Sequence, residues 1–178
     1  MIIETKEELA MITSAIKQTM NKEIKEIKKL YQATKDGGGD PEIFHQKCDN
    51  IPNALLLIKS RGIRRFGAFV SLCWKSEGKR TIDKNCFSFS LDNKKIYLKK
   101  NNYNYEISFY NDEGPNICIN GTLFIVIEGN PIKESILRTS ENDNRINIVF
   151  DGTRNALSED GNYKGIYAIE YEAFQILF

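Results

Sequence analysis

A chain of 178 residues is one ordinary domain with at most an appendage, and it is long enough to bury a core. Its 25 basic and 24 acidic residues leave a net charge of +1, which excludes a global field drawing the chain to nucleic acid or membrane. No run of 18 apolar residues occurs and MIIETKEEL is interrupted by charge too early for a signal peptide, so a soluble cytosolic or nuclear protein is expected.

Residues 5–34 read as one long helix. Thr5 and Glu8 have the spacing of a capping box. Leu9, Ile12, Ile16, Met20, Ile24, Ile27 and Tyr31 recur at three- and four-residue steps, a heptad seam with one extra step. A helix of about 30 residues would run about 45 Å, longer than a domain of this size covers on one side. Two arrangements are open. The helix folds onto its own domain, or Leu9, Ile12, Ile16, Met20, Ile24 and Ile27 pair with another chain in a coiled coil, giving a homo-oligomer. The run KEIKEIKK is also a candidate phosphate-binding stripe, although its interleaved glutamates favour a solvated face.

Gly37, Gly38 and Gly39 stop this helix, since glycine tolerates the left-handed conformation that closes one. Asp40 is a good N-cap, Pro41 fits the first helical position and Glu42 favours the positive helix end. A helix of about two turns follows, with Ile43, Phe44 and Lys47 or Cys48 as candidates for its inner side. Pro52-Asn53 marks a turn before the strand ALLLIKS, and Arg61-Gly62 another before RRFGAFVSLCW. The latter places Phe66, Ala68, Val70, Leu72 and Trp74 on one face, with Phe69 and Cys73 on the other.

CFSFSLD alternates, with Phe87, Phe89 and Leu91 inside and Ser88 and Ser90 outside. Asp92-Asn93 turns it into KKIYLK, a hairpin. YEISFY, the two-faced apolar run GTLFIVIEG and a shorter INIVFD are further strands. NPIKESILRTSENDNR (130–145) and GTRNALSEDGNYKG (from 152) read as loops. IYAIEYEAFQILF closes the chain as a strand apolar on both faces. The pattern is α+β and mainly β. It describes a two-sheet antiparallel β-sandwich flanked by short helices, preceded by a long N-terminal helix, with residues 1–34 as helix and 35–178 as sandwich.

Candidate chemistry is sparse. The single histidine, His45, stands three residues from Cys48 on the short helix, so a Cys-His dyad or redox-active thiol at Cys48 is one reading. A packing role for both is the other. Cys48, Cys73, Cys86 and Cys118 are scattered without a CxxC pair, which argues for reduced thiols and against a zinc site. Glu170 and Glu172 lie on one side of the last strand, and Asp36 and Asp49 flank the short helix. Paired acids of this kind do general acid-base work or bind a cation, but bridging to Arg64, Arg65 or backbone amides is the plainer expectation. The basic turn RGIRR is a solvated hairpin tip or a phosphate contact. With the KEIKEIKK run it sustains an alternative in which the chain is a stress-linked DNA-binding regulator, an idea that the balanced charge does little to support. No cofactor motif is present, and GGG lacks the strand and GK[ST] of a phosphate cradle.

Taken together, LYxxxxDG (Tyr31, Asp36, Gly37), FHxKCDN (Phe44, His45, Cys48, Asp49), RFG with its following aromatic (Phe66, Gly67), the closing Trp74, Gly114-Pro115 and the terminal IEYEAFQILF (Glu170, Glu172, Phe174) resemble the TLDc domain over about residues 30–178. The resemblance implies a β-sandwich flanked by helices and no enzyme mechanism at the motif. It also implies a role in protection against oxidative stress and, as in several members, association with the vacuolar proton-pumping ATPase as a regulator of its assembly. The chain departs from the family where NICING follows Pro115 and where Gly67-Ala68 replaces a common double glycine. A binding surface built from the first of these loops is expected to be altered.

Overall fold

The structure, a computed structural model, describes residues 2–60, 64–75, 80–98, 105–108, 116–119, 123–128, 136–139 and 166–178. Among these, two helices and eleven strands follow one another in the order α1 (Lys6–Met20), β1 (Glu26–Gln32), α2 (Pro41–Cys48), β2 (Ala54–Ser60), β3 (Arg65–Val70), β4 (Arg80–Asp83), β5 (Phe87–Ser90), β6 (Lys95–Tyr97), β7 (Tyr105–Ser108), β8 (Asn116–Ile119), β9 (Leu123–Glu128), β10 (Ile136–Thr139) and β11 (Ile166–Leu177).

Every ladder between these strands is antiparallel, and β11 is the strand that the two sheets share. Its first residues pair with β10 (Ile136 opposite Tyr167), continuing the sheet β4-β7-β8-β9-β10. The register slips between Ala168 and Glu170, and the rest of β11 runs between β2 and β1 in a sheet completed by β3, β5 and β6. A strand apolar on both faces suits this place, because it is covered on both sides and hydrogen-bonded along both edges. The mainly β, two-sheet arrangement expected from the alternation is the one observed.

The long N-terminal helix is not. The capping box forms as expected: the Glu8 amide donates to Thr5 Oγ1 (3.1 Å), and Glu8 Oε2 accepts from the Thr5 amide (3.3 Å). The helix then stops at Met20, where Asn21 adopts a left-handed conformation (φ 52°), and residues 26–32 continue as β1 along the edge of β11. Ile24, Ile27 and Tyr31 fit a helical seam on paper. A bulge between Lys29 and Tyr31 lets a strand carry the same spacing, and the ladder with β11 outweighs local helix propensity.

The helix that remains lies on its own domain. Ile12 and Ile16 are fully buried against Leu55, Leu57, Phe69, Phe87, Phe89 and Ile176, with Met20, Ile24 and Ile27 packed on the same cluster. Burying each isoleucine contributes about 2 kcal/mol. Of the six positions expected to form an intermolecular seam, only Leu9 faces solvent. The face meant for a second chain is used within this one, and a boundary at residue 34 would sever β1 from the sheet it completes.

Three further expectations change. Ser88 and Ser90 are buried rather than outward, because they share a sheet face with Ala68 and Phe66, whose side is also covered. Leu72 lies beyond the end of β3 and is exposed, whereas Phe66, Ala68, Val70 and Trp74 share one core as expected. Ile136–Thr139, read as loop, forms β10 and joins β9 to β11. The strand expected at INIVFD and the loop from 152 lie outside the described residues.

Candidate functional site

The two faces of the six-stranded sheet carry different things. One holds α1. The other holds α2 and most of the residues that the sequence singled out. Asp40 caps α2 by accepting from the Glu42 amide (2.9 Å), and Pro41 begins it, so the helix presents Pro41, Phe44, His45 and Cys48 inward. Phe44 is the hub. Its ring meets Tyr31 edge-on (5.4 Å, 87°) and Trp74 likewise (5.4 Å, 77°), while Tyr31 and Tyr171 lie 5.3 Å apart. Such pairs contribute about 1 kcal/mol each beyond their buried area.

The polar ends of this cluster are tied down one by one. Tyr171 donates its hydroxyl proton to the Gly39 carbonyl (3.1 Å), which leaves Tyr31 to donate to Tyr171 (3.3 Å). Burial raises the pKa of both phenols, so they stay protonated. The Gly39 carbonyl is aimed there by three successive glycines at positive φ (112°, 73° and 99°), which only glycine adopts without strain. The glycine run therefore builds a turn for Tyr171. His45 Nδ1 bonds Asp49 Oδ1 (2.7 Å), and the Asn50 amide donates to the Trp74 carbonyl (2.9 Å), which locks the end of α2 to the chain leaving β3. Among the described residues, the buried Trp74 Nε1 meets no acceptor.

The candidate acids Asp36, Glu170 and Glu172 are likewise engaged, by the backbone amides that were one of the expected partners, together with lysine, glutamine and threonine side chains rather than Arg65. Asp36 takes Lys47 (2.6 Å) and the Gln32 amide (2.7 Å), and its carboxyl is held below the usual range chiefly by Lys47. Glu170 accepts from Gln32 Nε2 (3.0 Å), the Thr34 amide (3.2 Å), the Thr34 hydroxyl and its neighbour's amide. Glu172 has no solvent exposure and accepts from Lys29 Nζ (2.6 Å) and the Ile2 amide (3.0 Å). It shares the α1 face with Phe174, over whose ring Lys29 also lies.

Arg65 has a different task that the sequence did not disclose. It forms a fork on Glu8 (2.8 and 3.1 Å), reaches Glu4 (3.2 Å) and the Ile2 carbonyl (3.3 Å), and with its own amide and Nε holds Asp92 (2.7 and 3.2 Å). Burial pushes the Glu8 carboxyl up, but the Glu4 amide and Arg65 outweigh it and leave the group lowered. The capping-box glutamate was the visible half of this pair, and nothing in the sequence linked it to residue 65.

The Cys48 reading fails on geometry and on charge. His45 is turned to Asp49, and the thiol is fully buried and pushed up to about 12 by burial. A thiolate nucleophile needs the opposite environment. The phosphate-stripe reading fails too, because the lysines of KEIKEIKK lie in the linker after α1 and on β1 rather than along one helix. Lys25 donates to the Phe178 carbonyl (3.2 Å), and Lys29 holds Glu172. Arg65, expected at a solvated tip, is only 13% exposed.

Tyr31, Phe44, Cys48, Phe66 and Trp74 thus form one core, with His45 and Asp49 bonded at the end of α2. Glu170, Asp36 and Lys47 lie among the polar groups beside it, and Gly67 fills a contact inside the sheet. Gly114 and Pro115 lie outside the described residues. Among the described residues, no group of three or more His, Cys, Asp or Glu side chains is placed to hold a metal ion, and no helix is long and apolar enough to cross a membrane.

The motif residues thus interlock as packing and hydrogen-bond anchors of one β-rich domain. A family model described as the TLDc domain matches residues 1–159, and the chain belongs to that family. The match takes in α1 and β1 and ends before β11. No curated protein matches the chain. Membership links it in general terms to the oxidative-stress functions of the family, whose domain is as a class a non-catalytic interaction module.

Proposed function

We propose that this chain acts as a non-enzymatic docking domain in oxidative-stress protection, and that its partner is the vacuolar proton-pumping ATPase, whose assembly it regulates. One observation carries the docking half of this reading. The residues with chemical potential are consumed internally: His45 by Asp49, Asp36 by Lys47, Glu172 by Lys29, and Cys48 by burial. Their work is to hold a rigid surface. The ATPase half rests on family membership.

The test is co-sedimentation of the purified chain with the cytosolic sector of that ATPase, alongside proton pumping in vesicles and survival of peroxide by cells that lack or express the chain. Binding with altered pumping, and survival restored by expression, support the reading. No binding and no change in pumping remove the ATPase as partner, and unchanged survival removes the stress role.

A further inference from the structure

Between α1 and the end of β1, local preference and observed structure point in opposite directions. Nine of the twelve residues from Lys22 to Ala33 are lysine, glutamate, leucine, glutamine or alanine, all good helix formers, and no glycine or proline interrupts the chain between Thr5 and Asp36. Ile24, Ile27 and Tyr31 prolong the three- and four-residue spacing of Ile12, Ile16 and Met20. On a continued helix Glu26 would lie one turn from both Lys22 and Lys29, pairs that support it. The chain instead makes Glu26–Gln32 a strand, rich in the lysine and glutamate that strands disfavour.

That strand is thinly held. Among the described strands β1 pairs with β11 alone, and its register slips between Lys29 and Tyr31. Tyr31 is its one buried residue, with Ile27, Leu30 and Gln32 half-buried. The catches are few and specific. Tyr31 donates its hydroxyl proton to Tyr171 (3.3 Å), and Lys29 holds Glu172 (2.6 Å). The Lys25 and Ala33 amides close the two ends on the carbonyls of Leu177 (2.8 Å) and Tyr171 (2.9 Å). The turn out of α1 begins at Asn21, exposed and left-handed (φ 52°, ψ 44°), and Lys17 reaches across it to Glu23 (2.6 Å). A segment whose local preference contradicts its place in the fold is where a second state is to be sought.

We propose that residues 21–32 are a strand-to-helix switch: docked on β11 they form β1, and released they prolong α1 as one helix, with Asn21 as the hinge and Tyr31 and Lys29 as the catches. Growth past Met20 starts with Asn21 turning from the left-handed to the right-handed region, and asparagine tolerates both. In the strand state Lys29 and Tyr31 seal the edge of β11. In the helical state they leave it, so that edge opens while Ile24, Ile27 and Tyr31 line one side of the helix. The strand is the ground state and the helix the minor one. A ligand that reads either surface shifts the balance by its difference in affinity for the two. The inference goes beyond the docking reading and does not depend on which partner docks.

The test is saturation-transfer NMR of the full isotope-labelled chain, which reads the Cα shifts of a minor state in exchange with the main one. The expected result is a minor state confined to residues 21–33 whose Cα shifts are helical. Asn21→Ala makes the left-handed turn costly and the helix favourable, and it should raise the minor population about tenfold. Asn21→Gly, which turns left-handed freely and disfavours helix, should lower it. Asn21 is exposed, so both variants should keep the sheet. Lys28→Cys/Gln175→Cys joins two residues that face one another in the ladder. Its disulfide should abolish the minor state, and reduction should restore it. No minor state in any of these chains, a minor state with random-coil shifts, or a population indifferent to the residue at position 21 overturns the proposal.

Discussion

Glu172 and Lys29 are joined between β11 and β1 by a 2.6 Å ion pair in which the carboxylate is wholly buried and the lysine side chain keeps 39% of its exposure. Removing only the cation leaves an uncompensated charge inside the sheet. Lys29→Met is expected to cost about 3 kcal/mol in urea unfolding, and the double variant Lys29→Met/Glu172→Leu to recover most of it. A double variant no more stable than the single would show that the pair itself, rather than the stranded carboxylate, sets the cost.

Glu8 and Asp36 give the pH dependence its sign. Asp36 is lowered by Lys47, and Glu8 by the Glu4 amide and Arg65 against the upward push of burial. Both folded values lie below the unfolded ones, so the unfolded chain binds more protons as pH drops. The stability they contribute is fully present above about pH 5 and is lost as pH falls through the lowered folded values. Urea midpoints between neutral pH and about pH 2 should fall less steeply in the Glu8→Gln/Asp36→Asn variant. An identical slope would assign the acid loss to other groups.

Gly67 sits where β2, β3 and β5 come closest. A Cβ there would lie 2.0 Å from the Leu56 carbonyl oxygen and 2.6 Å from Phe89 Cζ. The oxygen belongs to the backbone of a central strand and cannot give way. Gly67→Ala is expected to cost about 3 kcal/mol or to abolish soluble expression, whereas Gly→Ala changes at ordinary sites are close to neutral. A thermal melt within a degree or two of the parent would contradict the close approach.

The sequence carried the strands well and the first helix badly, for physical reasons. Alternation in RFGAFV and the Asp92-Asn93 turn depend on residues near in sequence, so they were legible. Residues 26–32 were not, because what makes them a strand is β11, nearly 150 residues away. The motif residues were found individually. That Phe44 would be the hub of Tyr31, Tyr171 and Trp74, and that Arg65 would close on Glu8 and Asp92, depends on register, which spacing does not encode. Ser88 and Ser90 misled because alternation predicts a wet face only where nothing covers the second side.

Cys48 separates a packing thiol from a working one. With burial raising its pKa to about 12, the thiolate fraction at neutral pH is vanishingly small. Modification of Cys48 in the native chain by a maleimide, followed by peptide mapping to separate it from the half-buried Cys73, should therefore wait on opening of the α2 face, and its rate should rise with added urea. Cys48→Ala should leave peroxide protection unchanged while lowering stability modestly. Rapid labelling of Cys48 in native buffer, or loss of protection without loss of fold, would restore a redox role.

The N-terminal helix yields the prediction in which structure and sequence part most sharply. As a free coiled-coil arm, residues 1–20 could be deleted to leave a better-behaved monomer. As the cover of a sheet face, they cannot. The deletion uncovers Leu55, Leu57, Phe69, Phe87, Phe89 and Ile176, and it strips Arg65 of Glu4 and Glu8 and Glu172 of the Ile2 amide. The shortened chain is expected to bind a hydrophobic dye strongly, to melt lower and to aggregate more than the intact one in light scattering. Arg65→Met tests the same contact without exposing the face outright. It should leave Glu8 without its guanidinium, loosen α1 and raise amide exchange in Lys6–Met20 before the sheet responds. A shortened chain that stays monomeric and melts with the parent would mean that α1 adds nothing to this core, and that the apolar face beneath it is stable in water by itself.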